Sequence, residues 1–249
     1  MATAPPAPAA AAAPTVPPAP AAAAAPTAPT APTAPPAPAA APPAPGAPSV
    51  PPGPAPETEH CDPTKASMLV SHLNDARIWV NDAEPKISAF AAGTASPSVS
   101  RIVSKALTAN FHTTSPADVA VIATNFRRLK AALGEKFNYE CASASACTSA
   151  RAEYVTLAYV RGAFAFVRRL FDINVCPDWF DCSNYFKRVT ALIHERAHQY
   201  PGADDRSYEF EPTYATISVS DAIDNADSYA VAARQIYHGG GHGPGESCW

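Results

Sequence analysis

No charged side chain occurs before Glu57, and residues 1–56 are almost entirely Ala and Pro with a few Thr, Ser, Val and Gly. Such a tract cannot bury a core, because proline removes a backbone donor and alanine offers little apolar surface. It reads as a disordered, polyproline-rich tether reaching at most about 170 Å at roughly 3.1 Å per residue. A passive linker and a spacer through a cell-wall layer both fit that composition. Aromatic, charged and branched apolar residues return together at Glu57, so the fold must be built from residues 57–249, enough for one domain with a sizeable core.

The formal charge of −4 and the pI near 5.9 belong to that second part. A mildly acidic domain whose basic clusters are no larger than Arg127-Arg128 or Arg168-Arg169 carries no footprint for nucleic acid. No apolar run approaches the roughly 18–20 residues needed to span a bilayer. All six cysteines lie beyond residue 56 and none forms a Cys-x-x-Cys pair. That usage fits a disulfide set, and with it a secreted or extracellular protein, better than thiolate zinc ligation; buried free thiols are the alternative. The first residues, Met-Ala-Thr-Ala-Pro-Pro, show neither the positive segment nor the apolar segment of an export signal, so the route of export is not visible here.

Within residues 57–249 the expected class is α+β, mostly α. Met68, Leu69, Leu73, Ala76 and Val80 recur at helical spacing and predict a helix over Thr64–Ala83 that Pro85 ends. Further helices are expected over Ser98–Phe111 and from Ser115-Pro116 to Leu133, with Gly134 as terminator. Arg151–Arg169, rich in Tyr, Val and Phe around Gly162, suggests a two-stranded hairpin, although Ala163–Leu170 also fits a helix. Ser183 is a candidate cap for a helix running to Tyr200, stopped by Pro201-Gly202. A last helix is expected from Ser220 or Asp224 to Tyr237, followed by a Gly-rich tail whose His238 and His242 read as part of a mobile terminus. Trp79, Trp179 and Trp249 are expected to pack, Trp179 between the sheet and the helix that ends at Tyr200; His60, His72 and His112 lack any partner pattern.

Chemistry concentrates in His194-Glu195-Arg196-Ala197-His198. On a helix, two histidines four apart share one face, so both imidazoles reach one ion, while the intervening glutamate lies near the water that such an ion activates. This is a zinc-hydrolase arrangement: two histidines and a third residue hold the metal, and a fourth position keeps water. The metal lowers the pKa of the water, and Glu195 carries its proton to the leaving amine. After His198 there is no methionine, and Glu209 and Glu211 lie too close to serve as a ligand from a following helix. Neither a methionine-turn site nor a site with a glutamate from a following helix fits well, so these residues alone leave the third ligand open.

These residues resemble the deuterolysin-like (aspzincin) family of zinc endopeptidases, related to the peptidyl-Lys metalloendopeptidases, which pairs H-E-x-x-H with G-T-x-D-x-x-Y-G. The matching stretch here is Gly202-Ala203-Asp204-Asp205-Arg206-Ser207-Tyr208-Glu209, with Ala203 and Glu209 departing from the pattern. The resemblance implies a zincin-like fold with a small sheet, and one zinc ion per chain held by His194, His198 and Asp205. Asp205 keeps the Asp-x-x-Tyr spacing; Asp204 is the alternative in a loop shorter than the family's. The resemblance further implies that Glu195 and Tyr208 are catalytic, Tyr208 as donor to the developing oxyanion. By the same comparison Asp227, in Asn225-Ala226-Asp227-Ser228-Tyr229, lines the pocket for the residue after the cleaved bond and favours a basic side chain. Ala230 stands where lysine-specific members carry a glutamate, so the implied preference is loose. Implied too are the pairs Cys61–Cys141, Cys147–Cys176 and Cys182–Cys248, protein or peptide substrates, and a monomer. The rival from another class is a non-catalytic module that keeps the fold for binding or surface attachment.

Overall fold

The computed structural model describes residue 54 and residues 56–147, 157–160, 172–182 and 184–240. The tether, most of the expected hairpin and the end of the tail lie outside these residues, as do Ser183, His242 and Trp249.

Three helices follow one another: α1 (Pro63–Ala91), α2 (Pro97–Phe111) and α3 (Pro116–Gly134). Each opens on the same device, a Ser or Asp cap followed by proline. Asp62 accepts from the Lys65 N–H, Ser96 from Val99 and Ser115 from Asp118, and each proline stands where a donor is not needed. Pro85 does not end α1, contrary to the expectation from sequence; it lies inside a helix of 29 residues. The cause is the apolar stripe: Leu69, Leu73, Ala76, Val80, Ala83 and Ile87 are all buried and keep a three-and-four spacing across the proline. Burial on both sides outweighs the single bond that Pro85 cannot give to the Asn81 carbonyl.

Four short strands form one sheet: β1 (Glu57–Glu59), which precedes α1, then β2 (Asn138–Cys141), β3 (Ala158–Val160) and β4 (Ile173–Val175), in the order β1-β2-β4-β3. The first two pairings are parallel, and β3 runs antiparallel to β4 with Ala158 opposite Val175. β3 falls within the expected hairpin, but the strand it pairs with is β4, beyond that segment. Two expected disulfides form, Cys61–Cys141 and Cys147–Cys176. Cys182 is disulfide-bonded as well, while Cys248 lies outside the described residues.

The remaining helices are α4 (Pro177–Asp181), α5 (Tyr185–Gln199), α6 (Val219–Ile223) and α7 (Ala226–Tyr237). Asn184, not Ser183, caps α5 by accepting from the Lys187 N–H. Trp179 is fully buried and donates from its indole to the Arg188 carbonyl of α5 at 3.0 Å, bracing that helix as anticipated. Of the two starts expected for the last helix, Asp224 is the nearer: α7 runs from Ala226 to Tyr237, and α6 is a separate short helix, with Asn225 between them paired to Asp204 as a β-bridge. α7 is buried on every side from Ala226 to Ile236 and packs against α1, α2 and α5. Its Ala226, Ala230, Ala232 and Ala233 let those neighbours approach closely. His238 is no part of a mobile tail: its ring meets Trp79 edge-on at 5.3 Å and Phe186 at 5.0 Å. Among the described residues no helix is long and apolar enough to cross a membrane.

Replacing Pro85 by Ala supplies the missing donor inside a packed helix that already exists. An interior proline costs about 3 kcal/mol in a helix, and its loss returns roughly 0.4–1 kcal/mol of entropy to the unfolded chain. Pro85→Ala is therefore expected to raise the denaturant midpoint by the equivalent of about 1–2 kcal/mol, measured by urea unfolding. A lowered midpoint would contradict the helix continuity described here.

Candidate active site

α5 carries the histidines because its two faces are engaged separately. Val189, Leu192, Ile193 and Ala197 are fully buried in the core. The Arg196 guanidinium is buried too, donating to Gln199 Oε1 and to the Ala132 carbonyl at the end of α3, over the Phe137 ring at 4.3 Å. With that face fixed, His194, Glu195 and His198 point the other way, and one ligand atom from each lies within 4.8 Å of the others. All three are nearly inaccessible to solvent.

The chain then reverses. The Tyr200–Pro201 peptide is cis and Gly202 takes φ 97°, a left-handed conformation that favours glycine. Gly202 and Ala203 both donate to the Ala197 carbonyl, and Asp204 exchanges backbone bonds with Asp224 (2.7 Å) and Ala226 (2.9 Å) at the start of α7. The next residue, Asp205, is thereby laid over the histidines. Its Oδ1 is 3.0 Å from His194 Nε2 and 3.2 Å from His198 Nε2, and those two nitrogens are 3.0 Å apart. Asp204 is turned away, with its carboxylate 3.5 Å from Arg206 Nη2. Of the two candidate aspartates, the loop brings Asp205 to the histidines.

The hydrogen bonds on the far side of each ring decide what can occupy the centre of this triangle. His198 Nδ1 lies 2.8 Å from the Ala203 carbonyl, which can only accept, so the proton is on Nδ1. His194 Nδ1 is 3.1 Å from Asp227 Oδ1, which likewise accepts. Each neutral ring then directs its Nε2 lone pair inward, toward the other lone pair and a carboxylate oxygen. Three converging acceptors need a cation. Tetrahedral zinc with bonds of about 2.0–2.1 Å has ligand–ligand edges of about 3.3 Å, close to those observed, so the residues fit the metal. The same field draws a proton: burial works against it, but Asp205, Asp227 and Glu195 raise the His194 pKa well above its ordinary value. Burial opposes ionisation of Asp205 as well, yet the bonds from His194 and His198 hold its carboxyl far below the usual range.

A cavity of about 280 Å³ opens beside the triangle. Leu157 and the adjoining Ala158 of β3 line it, together with Lys187, Thr190, Ala191, His194 and Glu195 of α5, the Tyr208–Phe210 segment, and Asp227 and Arg234 of α7. The Tyr208 ring stacks on His194 at 5.8 Å and on Phe210 at 5.5 Å. Asp227 is on the wall, but both oxygens are engaged, Oδ1 with His194 and Oδ2 with the Glu209 N–H at 2.5 Å. Arg234 closes an ion pair with Glu209. Burial pushes the Lys187 ammonium down to about 8.

Three site residues carried no recognisable sequence signal. Asn225 is fully buried and clamps the loop, accepting from the Arg206 and Ser207 N–H groups and donating to the Ser207 carbonyl and Ser228 Oγ. Glu211 accepts from the Tyr208 N–H and the Ser207 hydroxyl. Arg234 meets Glu209 across a sequence separation of 25. An asparagine directly before a helix suggests an N-cap, yet the Asn225 side chain makes no capping bond; it is used by the loop instead. Asn225→Ala leaves several buried backbone groups unsatisfied and is expected to cost about 2–4 kcal/mol, seen as a lowered thermal midpoint. A change below about 0.5 kcal/mol would refute the clamp.

Comparison with known proteins agrees with this geometry. A family model described as aspzincin, lysine-specific metallo-endopeptidase, matches residues 100–234, a span that includes every site residue discussed above. A solved zinc peptidase from Grifola frondosa has the same fold, with a TM-score of 0.53 and 17% identity over 70% of this chain and 97% of that one. No curated protein matches the chain.

Proposed function

The chain belongs to the aspzincin family of metallo-endopeptidases, and from that membership we propose that His194, His198 and Asp205 hold one zinc ion and that Glu195 and Tyr208 perform the catalysis. The family implies zinc and makes proteins or peptides the substrates. One observation carries the assignment of residues: three inward-facing groups, which can donate to one another only by taking up an extra proton, converge beside Glu195 at the mouth of a cavity.

When bound, zinc supplies Lewis acidity that activates water and polarises the scissile carbonyl. Glu195, buried at the cavity wall, takes the proton of the attacking water and delivers it to the leaving amine. Tyr208, positioned by its stack on His194, donates its phenol to the carbonyl oxygen as negative charge develops. Asp227 holds the proton on His194 Nδ1 and so keeps Nε2 available to the metal. The substrate lies extended beside β3, which ends the sheet among the described residues. Asp227 and Glu209 on the cavity wall support a preference for a basic side chain next to the cleaved bond. The disulfides support an enzyme working outside the cell, and we propose a deuterolysin-like monomer.

Glu195→Gln is expected to retain zinc, measured by elemental analysis, while losing about 10²–10⁴-fold in peptide turnover. A non-catalytic module would show no turnover to lose. Zinc affinity should also fall with pH. The metal binds the unprotonated imidazoles, and a raised His194 pKa means that protons are retained to higher pH than at an ordinary histidine. Loss of affinity should therefore begin above pH about 6.5, the unperturbed histidine value. Competition titrations against a chromophoric chelator measure it; an affinity constant between pH 8 and 6 would exclude His194 as a ligand.

A further inference from the structure

The cavity wall carries more charge than the reaction uses. Beyond Glu195 it holds two acids, Asp227 and Glu209, and two cations, Lys187 and Arg234. Asp227 is committed on both oxygens, to His194 and to the Glu209 backbone. Glu209 is the more accessible acid, with about a third of its side chain exposed, and Arg234 donates to its Oε1. The Arg234 side chain is only 9% exposed and projects from the same face of α7 as Asp227, two turns further on. An arginine cannot shed its charge, and withdrawing a buried one from its carboxylate leaves an uncompensated ion. A cationic side chain entering the cavity must therefore share Glu209 with a guanidinium already fixed there, while also facing the Lys187 ammonium.

We propose that Arg234 is the specificity-determining residue of this cavity, an internal cation that occupies the Glu209 carboxylate and so limits how strongly basic side chains are preferred. The inference rests on the reading of the cavity as the substrate side-chain pocket, and it concerns the balance between cation and anion rather than the cleavage chemistry.

The two partners should act in opposite directions, because specificity is a difference between two affinities. The readout is the ratio of kcat/KM for two matched peptides carrying lysine or glutamate after the cleaved bond, measured on the full zinc-loaded chain. Arg234→Met should raise the lysine-to-glutamate ratio by about tenfold, since Glu209 becomes available to the substrate. Glu209→Gln should lower it by about tenfold, since Arg234 then faces the substrate. The double variant should return toward the parent ratio, and Arg234→Lys, which keeps a cation, should stay near it. If Arg234→Met fails to fold, Glu209→Gln decides alone. Ratios within about twofold of the parent in both single variants, or shifts in the same direction, overturn the proposal. If no variant and no parent protein cleaves either peptide, the peptidase reading fails separately. The same opposed shifts are then sought in calorimetric binding of the two peptides, where their absence overturns the proposal.

Discussion

The repulsion among three lone pairs, His194 Nε2, His198 Nε2 and one oxygen of Asp205, is the constraint around which this domain is arranged. Left to themselves these groups would turn apart, and the histidines could donate to the carboxylate instead. In the neutral rings this is prevented because each imidazole has already committed its one proton on the opposite side, to Asp227 or to the Ala203 carbonyl. The loop that supplies Ala203 and Asp205 is held by the Ala197 carbonyl, by the Asp204 bridge and by the buried amide of Asn225. A polar centre of this kind survives only where every supporting group is satisfied, because a partly satisfied buried network costs more than an apolar one.

α7 explains why the support is rigid. It is buried on all sides and contributes Asp227 to His194, Arg234 to the cavity and Gln235 to a second network through Asn110 and Tyr214. A single helix thus links the packing of α1 and α2 to the orientation of His194. Displacement of α7 would disturb ligand geometry and pocket charge together, whereas changes in the short sheet would act mainly through the edge strand beside the cavity.

Much of this was legible in the chain itself. The apolar spacing of α1, α2 and α3, with their Ser or Asp caps followed by proline, marks three helices, and the histidine spacing on α5 marks one shared face. The strands were harder, since β1, β3 and β4 are three residues each, too short for a period of two to emerge. Pro85 misled because a local rule about proline lost to a buried stripe that continues through Ile87. The choice between Ser220 and Asp224 as the start of the last helix stayed open because it turns on Asn225 pairing with Asp204, a contact between segments far apart in the sequence. His238 stands in a Gly-rich stretch, yet its surroundings are Trp79 and Phe186 from distant helices.

By itself the sequence determined the boundary between an Ala/Pro tract and a foldable domain, the helix that presents His194, Glu195 and His198, and the choice of ligand types, because these follow from composition and from spacing within one element. Only the tertiary structure brought Asp205 rather than Asp204 to the histidines, gave Asp227 to His194 as well as to the cavity, and set Arg234 against Glu209. Those outcomes depend on where a reversing loop crosses a buried helix, and the direction of that crossing comes from hydrogen bonds between residues far apart in the chain.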